Sequence, residues 1–313
     1  MKKYIVVLII LISIVLGGCN KELEWNEFTW VDYSFGNQHI YKAAIFIPFK
    51  FNGADERYYV QLDTGATTFL NGNSFKDIKA NYEILAKQNQ QPSVIAMDGI
   101  LANYEFQHKY FGIRQDYGPT LEQLEKAEYK KIGNLGLSFF KERILIINFP
   151  EERFAIVKGE EDIPEYIKEN STFLDIDIRN NKLFLDVKIG DRNLTLAYDT
   201  GASFFDVVTT ETVWTHLIES EENQADKIIQ GPSFDNMAQL KGTSAANDLQ
   251  IGGLTIEKPT VYYEDSGLMN LNFEEYPYEI DGIIGNALFY DDYILTIDLI
   301  NNKFGIMEVD IEG

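Results

Sequence analysis

The sequence has few of the residues on which several common catalytic chemistries depend. It contains one cysteine, Cys19, and three widely spaced histidines, His39, His108 and His216. A single cysteine cannot form an internal disulfide or a zinc site built on several thiolates. No His-x-x-x-His pair and no Gly-x-Ser-x-Gly segment is present, so zinc hydrolases and serine hydrolases have little support. We therefore expect no metal site and no cofactor, and we interpret the histidines as ordinary structural or surface residues.

Basic residues are also scarce. The chain of 313 residues has 27 lysines and arginines against 49 aspartates and glutamates, a formal net charge of −22. Nucleic-acid binding needs a basic surface, so this composition excludes nucleic acid as the expected partner. We interpret the excess of acid as a source of solubility.

The beginning of the chain has the layout of an export signal. Lys2 and Lys3 precede an apolar run over residues 4–16, which is too short to span a membrane comfortably. Residues 16–19 (Leu-Gly-Gly-Cys) resemble a bacterial lipobox, which would make Cys19 the lipidated first residue of the mature protein. We predict a signal peptide over 1–18 and a lipid-anchored protein of the cell envelope, outside the cytoplasm and on the outer membrane. An uncleaved membrane anchor is the alternative.

The most informative feature of the sequence is a tetrapeptide that occurs twice. Its two copies are Asp63-Thr64-Gly65-Ala66 and Asp199-Thr200-Gly201-Ala202. Each copy follows an alternating apolar run, which is typical of a strand that delivers a carboxylate into a tight glycine turn.

A second repeated segment follows each tetrapeptide. Gly133-x-Leu-Gly136 matches Gly282-x-Ile-Gly285, and the strand-like residues 144–157 match 294–307. The chain is therefore an internal duplication of roughly 140 residues, a length that suits a lobe rather than a solenoid repeat. We predict a tether over 19–39, a first lobe over 40–160 and a second lobe over 161–313.

Two carboxylates brought together by a pseudo-twofold have a defined chemistry. Like charges at close range cannot both ionise easily, so one carboxyl group keeps a proton. The pair then holds a water between a base, which takes the proton of the water, and an acid, which polarises a carbonyl. A single Asp-Thr-Gly is a common turn; two copies at one interface favour catalysis.

These residues resemble those of aspartic proteases, specifically a bacterial two-lobed, retropepsin-like form, over residues 40–310. The resemblance implies a mainly β fold of two homologous β-barrel lobes with a few short helices and an active-site cleft between them. Asp63 and Asp199 would be the catalytic pair. The turns would be supported by Thr64, Gly65, Thr200 and Gly201 and braced from beneath by Leu135, Gly136, Ile284 and Gly285.

The sequence departs from the family at three positions of these motifs. Asn134 takes the first apolar place of the brace, and Ala66 and Ala202 stand where pepsin-like enzymes carry Ser or Thr. Loss of a hydroxyl donor removes one stabiliser of the charged carboxylate, so we predict an optimum less acidic than that of a stomach enzyme.

The family also needs a flap over the dyad. Asp98-Gly99, between two apolar runs, predicts a hairpin turn and a flap in the first lobe, and Lys241-Gly242-Thr243 is the candidate in the second. An ordinary surface hairpin is an equally good interpretation of each. Thr120 and Gln123 form a capping box that predicts a helix over 121–131. The stretches 71–131 and 215–247 match nothing in the family.

The leading functional hypothesis is a lipid-anchored aspartic endopeptidase that acts on a peptide or protein substrate. We expect a monomer, because one chain supplies both aspartates. The first alternative is a catalytically inactive peptide-binding surface lipoprotein of the same fold. The second is a purely structural surface lipoprotein, for which the paired turns would have no explanation.

Overall fold

The architecture is a duplicated set of antiparallel and parallel strands with few helices. The computed structural model describes residues 23–52, 55–81, 87–88, 93–218, 225–233, 236–265 and 280–309. The strands of the first half are β1 (Asn26–Glu27), β2 (Thr29–Phe35), β3 (Gln38–Phe51), β4 (Tyr58–Leu62), β5 (Phe69–Asn71), β6 (Lys87–Gln88), β7 (Val94–Leu101), β8 (Tyr104–Arg114), β9 (Lys131–Leu135), β10 (Ile144–Asn148) and β11 (Arg153–Val157).

The second half repeats most of this order. Its strands are β12 (Thr172–Asp175), β13 (Asp177–Arg179), β14 (Lys182–Ile189), β15 (Arg192–Tyr198), β16 (Val207–Thr209), β17 (Lys227–Ser233), β18 (Asn236–Ser244), β19 (Leu249–Ile251), β20 (Leu254–Ile256), β21 (Thr260–Glu264), β22 (Gly282–Ile284), β23 (Tyr293–Asp298) and β24 (Lys303–Glu308). Residues 26–35, within the segment interpreted as a tether, form β1 and β2.

Helices are short. They are α1 (Gly72–Asn81), α2 (Leu121–Leu124), α3 (Glu165–Asn170) and α4 (Glu211–Leu217), with 3-10 turns at Leu137–Phe140, Glu160–Asp162 and Asn286–Leu288. The capping box of Thr120 and Gln123 is confirmed at the start of α2. The predicted extent of that helix is wrong, because α2 ends at Leu124 and Lys131 already begins strand β9. Pairing of β9 with β4 inside a sheet outweighs the weak helical preference of this stretch.

Each half builds one sheet, and the two sheets share a topology. The first has the order β2-β3-β4-β9-β5-β8-β7-β6. The second contains the same path as β14-β15-β22-β16-β21-β18-β17. In both, the strand before the Asp-Thr-Gly turn pairs in parallel with the strand before the repeated glycine, β4 with β9 and β15 with β22. The predicted duplication into two β lobes is confirmed.

A third sheet joins the lobes. Its six strands have the order β1-β11-β10-β23-β24-β12, three from each half. The central pair is β10 with β23, equivalent strands that run antiparallel with Ile146 opposite Thr296, as a twofold relation between the halves requires. Every residue of β10 is buried. Burial of this apolar strand holds the lobes together, because burying each large apolar side chain stabilises the fold by roughly 1.5–3 kcal/mol.

Candidate active site

The two Asp-Thr-Gly turns lie at equivalent places in the two lobes. Asp63 follows β4 and Asp199 follows β15. The backbone N–H of Asp63 donates to the carbonyl of Leu135 at 2.9 Å, and that of Asp199 donates to Ile284 at the same distance. Each turn is closed by the N–H of its alanine, which donates to the carbonyl of its aspartate at 3.1 Å. The two turns therefore have the same backbone geometry.

Thr64 and Thr200 connect the two turns. The backbone N–H of Thr64 donates to the hydroxyl of Thr200 at 3.0 Å, and the N–H of Thr200 donates to the hydroxyl of Thr64 at 2.9 Å. The Thr64 hydroxyl also donates to the carbonyl of Tyr198 at 2.9 Å. Both threonines are fully buried. The reciprocal bonds place the turns side by side at the lobe interface.

The repeated glycines allow the brace to approach the turns closely. A Cβ on Gly136 would lie 2.1 Å from the carbonyl oxygen of Ala66, and a Cβ on Gly285 would lie 2.2 Å from that of Ala202. Real Cβ atoms do not approach oxygen so closely, so any side chain here would displace the turn. Leu135 and Ile284 are fully buried beneath their turns. Gly136 and Gly285 therefore pack directly against the two turns, and their role as a brace stays a prediction.

The two carboxyl groups face each other across the interface. A Cβ on Gly201 would lie 2.6 Å from Asp63 Oδ1 and 3.0 Å from Asp199 Oδ1, so both carboxyl groups border the same small space. The Asp199 carboxylate also fills the space in front of Gly65, where a Cβ would lie 2.3 Å from Oδ2. Gly65 and Gly201 are thus required by the packing of each turn against the opposite carboxylate.

Hydrogen bonds distinguish the two aspartates. Asp199 Oδ1 accepts from the backbone N–H of Gly201 at 2.7 Å and from that of Gly65, in the other lobe, at 3.0 Å. Asp63 Oδ2 accepts from the Asn134 side-chain amide at 2.5 Å. Asp199 thus accepts from two backbone donors, one in each lobe, whereas Asp63 accepts from a side-chain amide.

The surroundings of Asp63 favour the protonated form of its carboxyl group. Burial, the largest effect, and the neighbouring charge of Asp199 together raise the pKa of Asp63 to about 7, against the lowering effects of Lys131 and Asn134. The pair therefore titrates as a unit that keeps one proton from acidic pH to about neutral. This is the charge state in which one carboxyl acts as acid and the other as base.

Two residues beside Asp63 carry polar chemistry that the repeated motifs alone do not predict. Asn134 was visible as a departure from the apolar pattern, but its contact with Asp63 required the structure. Lys131 was placed at the end of a predicted helix; it lies in β9, and its Nζ donates to Gln61 Oε1 at 2.5 Å. The repeat could have revealed it, because the residue two before Gly133 is lysine and the residue two before Gly282 is Ile280.

The β2–β3 hairpin reaches the same cleft. Tyr33 of β2 lies near the dyad: burial raises its pKa to about 12, and the charge of Asp63 contributes. Near the end of the hairpin, the Gln38 side chain bonds the backbone of Ile228 and Gln230 in β17, both at 2.8 Å. This hairpin therefore bridges from the first lobe to the second.

The predicted flap turns are wrong. Asp98 and Gly99 lie inside β7, and the turn of the β7–β8 hairpin falls at Ala102-Asn103. The Asp98 carboxylate instead accepts from the backbone N–H of His108 beside a bulge in the ladder. Gly99 packs against Phe106 and cannot be a loop tip. Asp-Gly is a strong hairpin signal, but here pairing of β7 with β3 continues through the glycine.

Gly242 likewise lies within a strand. It is paired in β18 with Lys227 and with Tyr262, whose ring occupies the space that a Cβ would need. The hairpins that occupy equivalent places in the two sheets are β6–β7 and β17–β18. Their turn residues, 89–92 and 234–235, lie outside the described residues.

Other expectations concern parts of the chain that the structure describes incompletely. Cys19 and the predicted signal peptide fall outside the described residues. Within the described ranges, no group of three or more His, Cys, Asp or Glu side chains could hold a metal ion. Among the same residues, no helix has the length and apolar character to cross a membrane.

Comparison with known proteins identifies the fold. A scan against protein-family models finds no match, and a search of curated protein sequences finds no relative. Among solved structures, the chain is similar to the aspartic proteinase from Irpex lacteus, with a TM-score of 0.50 and 11% sequence identity. The similarity covers 92% of this chain and 98% of the other. The chain therefore has an aspartic-protease-like, two-lobed β fold.

Proposed function

We propose that this protein is an aspartic endopeptidase that hydrolyses peptide bonds with a water held between Asp63 and Asp199. The observation that carries the proposal is the hydrogen bond from the backbone N–H of Gly65 to Asp199 Oδ1 at 3.0 Å. It places the carboxylate of one lobe against the turn of the other, within reach of the second carboxyl group. A fold alone does not imply an activity, whereas this geometry supplies an acid and a base at one point.

The hydrogen bonds of the pair suggest the role of each aspartate. Asp199, with two backbone donors on one oxygen, would be the ionised member that accepts the proton of the attacking water. Asp63, whose pKa is raised by burial and by Asp199, would hold the shared proton and donate it toward the carbonyl oxygen of the substrate. When the C–N bond of the resulting tetrahedral intermediate breaks, Asp199 would give the proton that it took from the water to the leaving amine, and Asp63 would recover its proton from the hydroxyl of the intermediate.

The turn network would keep this geometry fixed during the reaction. The Thr64–Thr200 bonds and the glycine contacts leave each carboxyl group little freedom, so it need not be reoriented when charge develops. A binding protein has no need for two unpaired acids at one interface. The intact pair therefore favours the enzyme over an inactive peptide-binding protein of the same fold.

The test is peptide cleavage by the soluble chain from Asn20 onward, between acidic and neutral pH, beside Asp63→Asn and Asp199→Asn. We expect cleavage by the wild type and a loss of at least about 10³-fold in either variant, since each removes half of the acid–base pair. Asp191→Asn, in an exposed turn, is the matched control and should cleave normally.

The opposite results would be equally informative. Cleavage that survives both active-site substitutions would contradict the mechanism. A folded protein that cleaves no peptide but binds a statine-containing peptide would support the inactive peptide-binding alternative.

We also propose that the protein acts outside the cytoplasm, anchored through lipid on Cys19. The support is the basic start, the short apolar run and the Leu-Gly-Gly-Cys segment of residues 16–19. Incorporation of a labelled fatty acid into the full chain, lost in Cys19→Ala, would test this. Labelling that persists in the variant would contradict it.

A further inference from the structure

One side of the cleft beside the dyad is polar and carries a positive charge. Gln61 lies in β4, two residues before Asp63, which directly follows the strand. The alternation of the strand therefore directs both side chains toward the same face of the sheet. Lys131 Nζ donates to Gln61 Oε1, and Asn134 Nδ2 donates to Asp63 Oδ2, both at 2.5 Å. We call Gln61, Lys131 and Asn134 the polar cluster.

The second lobe shows what this framework looks like without the polar cluster. In the strand registers, Phe46 lies opposite Gln61, and Phe184 lies opposite Ala197. The positions equivalent to Gln61, Lys131 and Asn134 are Ala197, Ile280 and Ile283. With Phe184, these three residues form one apolar cluster in the second lobe. The same backbone therefore accepts apolar residues at these three positions. Only the first lobe carries amide and ammonium groups at them.

Lys131 forms no ion pair with the carboxylates of the described residues. Its ammonium lies 5.8 Å from the centre of the Phe46 ring, and the residue as a whole is half-buried. The charge of Asp63 acts on this ammonium, and Gln61 supplies its described hydrogen bond. A cation at a position where the second lobe has the apolar Ile280 points to a ligand that carries a negative charge.

The distance suits a group adjacent to the cleaved bond. Residues on one face of a strand repeat about every 7 Å, and the ammonium is held by Gln61, one such step from Asp63. A side chain next to a bond that is attacked at the dyad spans this distance. An ammonium has three donors, of which the Gln61 bond uses one, so a carboxylate could accept from the other two.

We propose that the substrate carries a carboxylate, which binds Lys131, on the side of the cleaved bond that faces the first lobe. This inference rests on the proposed peptidase function and specifies its substrate class. On the opposite side, the apolar cluster of Phe184, Ala197, Ile280 and Ile283 would receive an apolar side chain. The carboxylate can belong to an Asp or Glu side chain or to the end of the substrate chain.

The experiment separates recognition from catalysis. It uses peptides in which a hydroxyethylene group replaces the amide that would be cleaved. One residue next to this group is Glu or Gln and the residue on its other side is Phe, and each peptide is made with the two residues in either order. A second series places a free or an amidated chain end there. Dissociation constants are measured for the wild type, Lys131→Met, Lys131→Arg and the control Lys130→Met, since Lys130 pairs with Glu56 instead.

We expect the acidic peptide to bind the wild type at least about tenfold more tightly than its amide, as a charge-assisted hydrogen bond predicts. The ratio should fall to near one in Lys131→Met and persist in Lys131→Arg and Lys130→Met. The series in which the preference occurs identifies the source of the carboxylate. Equal binding of acid and amide by the wild type, in both series, would overturn the inference without a variant being needed. A preference that survives in Lys131→Met would overturn it as well.

These outcomes are independent of the activity. Absence of any cleavage in the assay of the proposed function would contradict the peptidase, while the binding ratio would still decide whether Lys131 recognises a carboxylate. Cleavage with equal use of acidic and amide peptides would leave the peptidase standing and reject the role of Lys131.

Discussion

Thr64 and Thr200, 136 residues apart in the chain, each donate a backbone N–H to the hydroxyl of the other. Neither hydroxyl has access to solvent. The bonds join two turns that no local interaction could bring together. They therefore help to set the distance between the carboxyl groups of Asp63 and Asp199, each of which directly precedes one of the threonines.

Replacement of Thr64 by valine should destabilise the protein and abolish cleavage. The substitution removes the hydroxyl to which the buried N–H of Thr200 donates, together with the bond from that hydroxyl to the carbonyl of Tyr198. The loss should cost about 1–3 kcal/mol for the buried N–H. Urea unfolding and peptide cleavage would measure the two effects. Thr255→Val, at an exposed position of β20, should change stability by no more than about 0.5 kcal/mol. Equal stability of Thr64→Val and the wild type would contradict the importance of the bond.

Gly136→Ala should be destabilising by about 1–3 kcal/mol, because its Cβ would meet the carbonyl oxygen of Ala66 at 2.1 Å. Activity should fall more than stability, since the displaced atoms belong to the Asp63 turn. Gly112→Ala is the control: its Cβ would make ordinary contacts at 3.5 Å or more. Thermal unfolding and kcat/KM of both variants would decide, and a harmless Gly136→Ala would show that the turn can move.

Asp63→Asn should stabilise the protein at pH 7 more than at pH 4. The pKa of Asp63 is raised from 3.8 to about 7 on folding, chiefly by burial. The folded state therefore binds this proton more tightly, and the stability that it contributes below pH 4 is lost as the pH rises toward 7. Since the carboxyl is partly open to solvent, we expect a gain of about 1–3 kcal/mol at pH 7. Urea midpoints at both pH values would test this, and a gain that is independent of pH would refute the shift.

Asn134→Ile should move the neutral limb of the pH–rate profile to higher pH. Its amide stabilises the charged form of Asp63 and so lowers the pKa of that carboxyl; without it, the pair keeps its shared proton at higher pH. Isoleucine is the residue at the equivalent position in the second lobe, Ile283, so the framework should accept it. A profile of kcat/KM for Asn134→Ile identical to that of the wild type would contradict this electrostatic role.

The same measurement on the wild type tests the predicted pH optimum, which is less acidic than that of a stomach enzyme. A peak of kcat/KM well below about pH 4 would contradict that prediction.

Preference for a carboxylate beside Lys131 should disappear above about pH 8. Burial lowers the pKa of Lys131 to about 8, against the raising effect of the Asp63 charge. The groups that face the ammonium are Asp63, Gln61 and the Phe46 ring, with Tyr59 and Tyr129 packed on that ring. The ratio of acid to amide binding, measured from pH 6 to 10 with the uncleavable peptides, should fall through this value. In Lys131→Arg it should stay constant, because arginine remains charged.

Repetition made much of the fold predictable. Two copies of Asp-Thr-Gly and two of the glycine brace define the lobes, since equivalent sequences in one chain form equivalent structures, and alternating apolar residues identify the strands that carry them. The turn at Asp98-Gly99 and the helix over 121–131 were predicted wrongly for a common reason. Both lie where strand pairing with a distant segment, β3 in one case and β4 in the other, outweighs the local preference.

The sequence by itself determined the two aspartates, the threonines and glycines around them, and the duplication, because each of these is a local pattern that occurs twice. The tertiary structure decided what distinguishes the two halves. The raised pKa of Asp63, the charge of Lys131 beside it and the contact of Asn134 all depend on burial and on side chains that are neighbours only after β4 and β9 pair. The pKa of a carboxyl group depends on the residues around it. For Asp63 these include Asn134, which lies about 70 residues further along the chain.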